Sequence, residues 1–351
     1  MSEIPETLER LLSTPGPSGY EAAATAVWRE AASFAELAFD GIGSTIATIG
    51  EAEASPLVAV VGHIDEIGLV ITHVDEKGFV YFGAIGGWDA QILVGQRVEV
   101  QTKGDPVLGV VGRKAIHVLD SDARKKAVEL KNLHIDIGAD DRDRALELVR
   151  IGDPVVIAAE PRSLDGSRLV SRSMDNRLGA YVALESLRRV HERGNLNGRM
   201  AGIASVQEEI GLHGAGTSAF ASRPDLAVAI DVCHATDAPG MNEKELGSHA
   251  LGSGPCIGRG STLSPQIYEM LCETAERLGI EYTVEGSGRR TGTDADAIQV
   301  SRSGIPTGLV SVPLRYMHSP VEMVDLGDLE QVIELVAGFA ESLEPGLDLS
   351  R

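Results

Sequence analysis

Aromatic residues make up only 4% of the 351-residue chain, cysteines number three, and lysines number seven against 24 arginines. No run of about 18 consecutive apolar residues occurs, so no membrane-spanning helix is expected. Cys233, Cys256 and Cys272 are odd in number and show no CxxC spacing. That excludes a disulfide framework and a thiolate zinc site and leaves them as small buried residues. The formal charge is -21, with no Lys/Arg-rich stripe, which excludes nucleic acid and anionic membranes as partners. The opening segment, MSEIPETLERLL, carries acids where a secretory signal carries bases, so a cytoplasmic location is expected.

The chain has a 43% apolar content and a length that suits one large domain plus a smaller one. Residues 5–14 and 21–36 are expected to be helical, separated by the turn TPGPSGY. Pro56–Gly62 (PLVAVVG) has the length and continuous apolarity of a strand covered on both faces. Between Leu69 and Pro161 short alternating segments follow one another: LVITHV, GFVYFGAIG, QRVEVQT, VLGVVGRK, LHIDIGA and DPVVIA. They predict a small all-β unit with one helical excursion near 140–149. Beyond Asp175 strands and helices alternate again. NRLGAYVALESLRRVHERG reads as an amphipathic helix, MAGIASV and LAVAIDV as strands, SPQIYEMLCETAERLG as a helix and IEYTVEG as a strand. TDADAIQVSRSG reads as a short helix, IPTGLVSVP as a strand and LGDLEQVIELVAGFAESL as a closing helix. The expected architecture is α/β: a mixed, mainly parallel sheet between helices. Residues 1–68 and 166–351 would form it, with 69–165 as an inserted β-rich domain.

Chemistry-bearing residues gather at predicted strand ends: His63 and Asp65 in VAVVGHIDE, Glu208 and Glu209 in GIASVQEE, Asp231 in LAVAIDV. His318 follows a strand closely, and Asp175 opens a helix. Ligands of open α/β sheets bind outside the carboxyl ends of the strands. Two histidines with several carboxylates form an N,O donor set suited to zinc, cobalt or manganese. Three carboxylates and a bridging hydroxide would cancel the charge of two divalent ions, which in paired sites sit about 3.5–4 Å apart and share a carboxylate. Asp65, two residues from His63, lies on the same side of an extended strand and would orient its ring. Glu208 and Glu209 are adjacent, so their side chains diverge. One would bind an ion while the other, as general base, moves a proton from bound water to the leaving amine. Alone, each piece has a plainer explanation: a helix cap for Asp175, a turn residue for His318, solvated polarity for the rest.

These residues, with PGPSGYE, GHIDEIGLVITHVDEKGFVYFGAIGGWD, MDNRLGAYVALE, VQEEIGLHGA, AIDVCHATDAPG and RTGTDADAIQVSRSGIPTGLVSVPLRYMHSPVE, resemble the dinuclear metallo-aminopeptidases of the tetrahedral and glutamyl aminopeptidase type. Some relatives carry endoglucanase or cellulase labels. The likeness implies that His63, Asp175 and Asp231 hold one ion and that Asp175 bridges to a second, held with Glu209 and His318. It makes Glu208 the base and Asp65 the orienting residue. It also implies peptide substrates and homo-oligomers from dimer to dodecamer, with the β domain serving assembly.

For substrate contacts, Thr293 and Asp294 in TGTDADA read as a helix-capping pair, although the likeness places that loop near the substrate's N-terminus. His213, four positions after the glutamate pair, stands where relatives commonly carry Arg and reads equally as a pocket residue or as a loop histidine satisfied by backbone. Cys233 stands where Thr is common. Arg289 and Arg290 suit an acidic substrate side chain or plain solvation; Gly86 and Gly87 read as turn residues. The competing enzyme class is a metal-dependent deacylase or amidohydrolase of the same clan.

Overall fold

The computed structural model describes residues 4–349. Helices α1 (Glu6–Ser13) and α2 (Ala22–Ala31) flank the Pro-rich turn. The second helix stops short of the expected residue 36. Glu36–Phe39 is instead β1, which turns back into β2 (Thr45–Ile49). The Asp40 side chain fixes that turn by accepting the amides of Ile42, Gly43 and Ser44, an Asx-type turn that competes with helix. Strand β3 (Leu57–His63) is buried at every position, as its apolar run predicts.

The six short segments all become strands. They are β4 (Gly68–Val74), β5 (Val80–Ile85), β6 (Arg97–Val100), β7 (Val107–Gly112), β8 (His134–Asp136) and β9 (Pro154–Ile157). They close a barrel in the order β4-β5-β8-β7-β6-β9 around Leu69, Ile71, Val98, Val100, Ile135 and Val155. Two helices punctuate it, α3 (Ala90–Leu93) and α4 (Arg142–Leu148), the latter at the expected excursion.

After the short strands β10 (Arg162–Ser163) and β11 (Arg168–Ser171) come α5 (Met174–Arg193), β12 (Arg199–Ser205), α6 (His213–Ser222) and β13 (Leu226–His234). Then follow α7 (Glu243–Leu246), β14 (Cys256–Gly260), α8 (Pro265–Leu278), β15 (Thr283–Ser287) and α9 (Ala295–Ile298). The chain closes with β16 (Thr307–Leu314), β17 (Glu322–Asp325) and α10 (Leu326–Glu341). The main sheet has eight strands in the order β1-β2-β12-β3-β13-β16-β14-β15. The central run β12-β3-β13-β16 is parallel, while β1, β2 and the β14–β16 pairing are antiparallel. Helix α5 is buried nearly all round rather than amphipathic: it lies on the sheet with α1 and α10 packed against it.

Glycines set how closely α5 approaches the sheet. A Cβ on Gly62 would lie 2.1 Å from the carbonyl carbon of Gly179, so β3 and the first turns of α5 touch backbone to backbone. Asn176 adds hydrogen bonds from Nδ2 to the Ile230 carbonyl at 2.8 Å and from the Gly179 amide to Oδ1 at 2.7 Å. The start of α5 is thereby fixed between the ends of β3 and β13.

Candidate metal centre

This packing brings Asp175 between the two predicted ligand histidines. Its Oδ1 lies 3.2 Å from His63 Nε2 and its Oδ2 lies 3.3 Å from His318 Nε2. The two glutamates, in the turn after β12, part company as expected. Glu208 Oε2 lies 3.7 Å from His63 Nε2, and Glu209 Oε1 lies 3.3 Å from His318 Nε2. Donor atoms of His63, Asp175 and Glu209 all fall within 4.8 Å of one another, as do those of His63, Glu208 and Asp231. The second trio includes Glu208, which the family likeness casts as the base rather than a ligand.

Asp65 does more than its sequence position predicts. Its Oδ1 is 3.4 Å from His63 Nδ1, and its carboxylate accepts the Ser18 hydroxyl at 2.6 Å and the amides of Glu208 and Glu209 at 3.1 and 3.2 Å. One buried side chain therefore sets both the ring and the glutamate turn. On the far side His318 has its Nδ1 2.8 Å from the Gly87 carbonyl. Gly86 and Gly87 are turn residues, and they also bring the barrel's β5–α3 loop against the site.

Three supporting groups escaped the sequence reading. Glu322 accepts the amides of Met174, Asp175 and His318 at 2.7, 3.2 and 2.8 Å. Glu21 accepts the amide of Gln207, next to the glutamate pair, at 3.1 Å. Glu66, buried beside Asp65, is bound by Arg172 and Arg177. Glu322 lies four residues after His318 in HSPVE and Glu66 directly follows Asp65 in HIDE, the signals that mark them; Glu21 is near the site only in three dimensions.

Electrostatics test whether cations belong here. Burial pushes the Glu208 carboxyl up to about 10 against the pull of His63, raises Asp231 well above the carboxylate range, and raises Glu209 as well. Hydrogen bonds to Asp175 and Glu209 raise His318 to about 11. Burial opposes a charged His63, yet Glu208, Asp175 and Asp65 together hold its pKa well above the usual value. Burial likewise opposes ionised Asp175, and the two histidines outweigh it and hold its carboxyl low. Glu209 Oε1 is buried, with His318 Nε2 at 3.3 Å facing it. Among the described residues no Lys or Arg lines the cleft of about 310 Å³ over these groups. So many buried carboxylates, with histidines but neither Lys nor Arg among the described lining residues, are short of positive charge. Divalent ions would supply it, and the His/carboxylate donors fit them.

The remaining sequence candidates divide. Thr293 lines the cleft and accepts the Ala295 amide at 3.2 Å, while Asp294 at the N-cap makes no capping bond with its side chain. Asp294 is buried behind, accepting the Ser205 hydroxyl at 2.5 Å, and burial raises its carboxyl to about 6. His213 does not line the cleft; its Nδ1 sits 3.2 Å from Gln207 Oε1 on the surface. Its ring is tied to the turn it follows and does not reach inward. Cys233, Cys256 and Cys272 are buried free thiols.

Comparisons with known proteins converge. The lysyl aminopeptidase of Pyrococcus furiosus is 33% identical over 97% of both chains. The crystal structure of the TET aminopeptidase from the marine sediment archaeon Thaumarchaeota archaeon SCGC AB-539-E09 superposes with a TM-score of 0.91 at 32% identity, covering 97% of each chain. The TET1 peptidase of Pyrococcus horikoshii, which assembles into a tetrahedron or a large octahedral shell, gives 0.84 at 33% identity over 96% of this chain and 99% of its own. Residues 43–335 match the M42 glutamyl aminopeptidase family, and the chain belongs to that family.

Proposed function

We propose that the protein is a two-metal aminopeptidase that removes residues from the N-termini of peptides, with Glu208 as the general base. The observation that carries this is the Asp175 carboxylate, which turns one oxygen to His63 and the other to His318. That is the arrangement a bridging ligand needs. His63, Asp175 and Asp231 would hold one ion and Asp175, Glu209 and His318 the other, the ions being zinc, cobalt or manganese. When bound, such a pair polarises the scissile carbonyl and lowers the pKa of water.

The chain's own residues do the rest. Glu208 lines the cleft and takes the proton of the attacking water on a carboxylate oxygen. It then gives that proton to the leaving amine nitrogen, so peptide plus water yields one free amino acid and a shortened peptide. Asp65 keeps His63 turned through Nδ1, and Glu322 fixes the backbone of Asp175 and His318. The barrel, at residues 69–165 of the chain, serves assembly of a homo-oligomer. Leu108, Val110, Ile116 and Val118 give it an exposed apolar face that supports this role. Among the described residues no helix is long and apolar enough to cross a membrane.

Aminoacyl-p-nitroanilide hydrolysis with added zinc, cobalt or manganese tests the proposal. Activity should vanish with chelator and return with the ion. Glu208→Gln should lower kcat by about 10²–10⁴-fold; full activity in that variant ends the mechanism. Cleavage restricted to N-blocked peptides would establish the deacylase instead.

A further inference from the structure

Besides the proposed ligands and base, the cleft is lined by Cys233, His234, Glu285, Thr291 and Met317. Among the described lining residues Glu285 is the one acid outside the proposed ligands and base, and it is half-buried on β15. Among the described residues no hydrogen bond or ion pair reaches its carboxylate, which burial and then Cys256 raise while His249 opposes them. His249 is already engaged: its Nδ1 lies 2.8 Å from Thr283 Oγ1 and 3.5 Å from Cys256 Sγ. Thr283 and Glu285 share a face of β15, two residues apart, so Glu285 stands beside this pair without binding it. A partly desolvated carboxylate with no partner attracts a cation and repels an anion.

Among the described residues no Lys or Arg that would invite an acidic substrate lines the cleft. Arg289 and Arg290 are exposed and outside the cleft lining. Arg259 lies over the Tyr268 ring, 4.9 Å from its centre, and Arg315 is paired with Asp237. Met317 and Cys233 offer apolar surface for a run of methylenes that ends in charge.

We propose that Glu285 is a specificity-determining residue which selects peptides beginning with lysine or arginine. The proposal rests on the aminopeptidase reading and adds the substrate class to it. Lysine and arginine carry their charge at the end of a long aliphatic stem, which suits a cleft carboxylate that is not itself a proposed ion ligand. A glutamyl or aspartyl N-terminus meets like charge at the same point.

A panel of lysyl, arginyl, leucyl and glutamyl p-nitroanilides with the metal-loaded protein tests this. The wild type should favour the basic pair over leucyl by about tenfold or more in kcat/KM, with glutamyl last. Glu285→Gln should lower the lysyl-to-leucyl ratio by about tenfold, and Glu285→Lys should move the preference toward glutamyl. A wild-type preference for leucyl or glutamyl, or a ratio that Glu285→Gln leaves unchanged, overturns the proposal while leaving the aminopeptidase intact. If no member of the panel is cleaved, the aminopeptidase fails, and calorimetric titration of L-lysinamide against its uncharged counterpart L-norleucinamide still decides. Tighter lysinamide binding that Glu285→Gln removes upholds Glu285; equal binding sinks it.

Discussion

The two oxygens of Asp175 face two differently built halves of one site. On one side His63 ends a central parallel strand, has a side chain only 2% exposed, and is oriented by a carboxylate two residues away. On the other His318 lies on a loop, has a side chain 34% exposed, and is oriented by a carbonyl of the barrel 231 positions away. The first half is made by the sheet and is preorganised by its packing. The second is assembled from three separate stretches of chain, and its geometry depends on how the barrel meets the sheet. Sites carried on regular elements hold their geometry more tightly than sites carried on loops.

Removing each histidine should show the difference most strongly. His63→Ala should abolish stoichiometric binding of both ions, because the ion His63 would hold shares Asp175 with the second and His63 belongs to both donor trios. His318→Ala should retain one ion per subunit, on the sheet side. Both should lose more than the roughly 100-fold that outer partners cost. Elemental analysis of the purified variants checks this. Two ions in His63→Ala, or none in His318→Ala, would reverse which half is the foundation.

The supporting acids should give a smaller contrast. Asp65 and Glu322 each accept several donors, so an amide in place of either carboxylate leaves one donor facing an NH₂ group. Asp65→Asn disturbs the His63 ring and the amides of both glutamates, and should weaken zinc binding by about 100-fold. Glu322→Gln disturbs only backbone, through Met174, Asp175 and His318, and should weaken it by about tenfold. Competition with a chromogenic chelator measures both. Equal losses would show that the two halves depend on their scaffolds to the same degree.

The same contrast explains what could be read from the sequence. The sheet half announces itself, because buried parallel strands are continuous apolar runs and polar residues at their ends stand out, as His63 does after VAVVG and Asp231 after LAVAI. The barrel strands were equally legible from their short alternating segments. The β1–β2 hairpin was not: its first strand is a largely exposed edge without an apolar pattern, and an Asp40 turn decided it. Nor were Glu322, Glu21 or Glu66 as site supports: Glu322 and Glu21 hold backbone amides, and Glu66 holds two arginines more than a hundred positions away, contacts that no residue-type pattern announces. His213 was drawn toward the pocket by its nearness in sequence to the glutamates, but local bonding to Gln207 holds it at the surface.

The smallest effects belong to the barrel loop, and they ask whether the assembled half truly needs the barrel. A Cβ on Gly87 would lie 3.2 Å from His318 Nδ1, a contact relieved by a shift of a few tenths of an ångström. Gly87→Ala should therefore lower kcat/KM by less than about tenfold, without affecting stability beyond the roughly 1 kcal/mol of mild overpacking. Gly86 is more constrained: its φ is +74° and its added Cβ would lie 2.6 Å from Ile67 Cγ2 and 3.3 Å from Glu209 Oε2. Gly86→Ala should cost more in kcat/KM than Gly87→Ala, because it pushes on a ligand as well as on the backbone. Both losses should shrink in the His318→Ala background, since the barrel acts on the site through that ring, and a double-mutant cycle measures the coupling. If the losses instead add without coupling, the barrel carbonyl is a neighbour of His318 and not its support, and the distinction between a preorganised half and an assembled half falls with it.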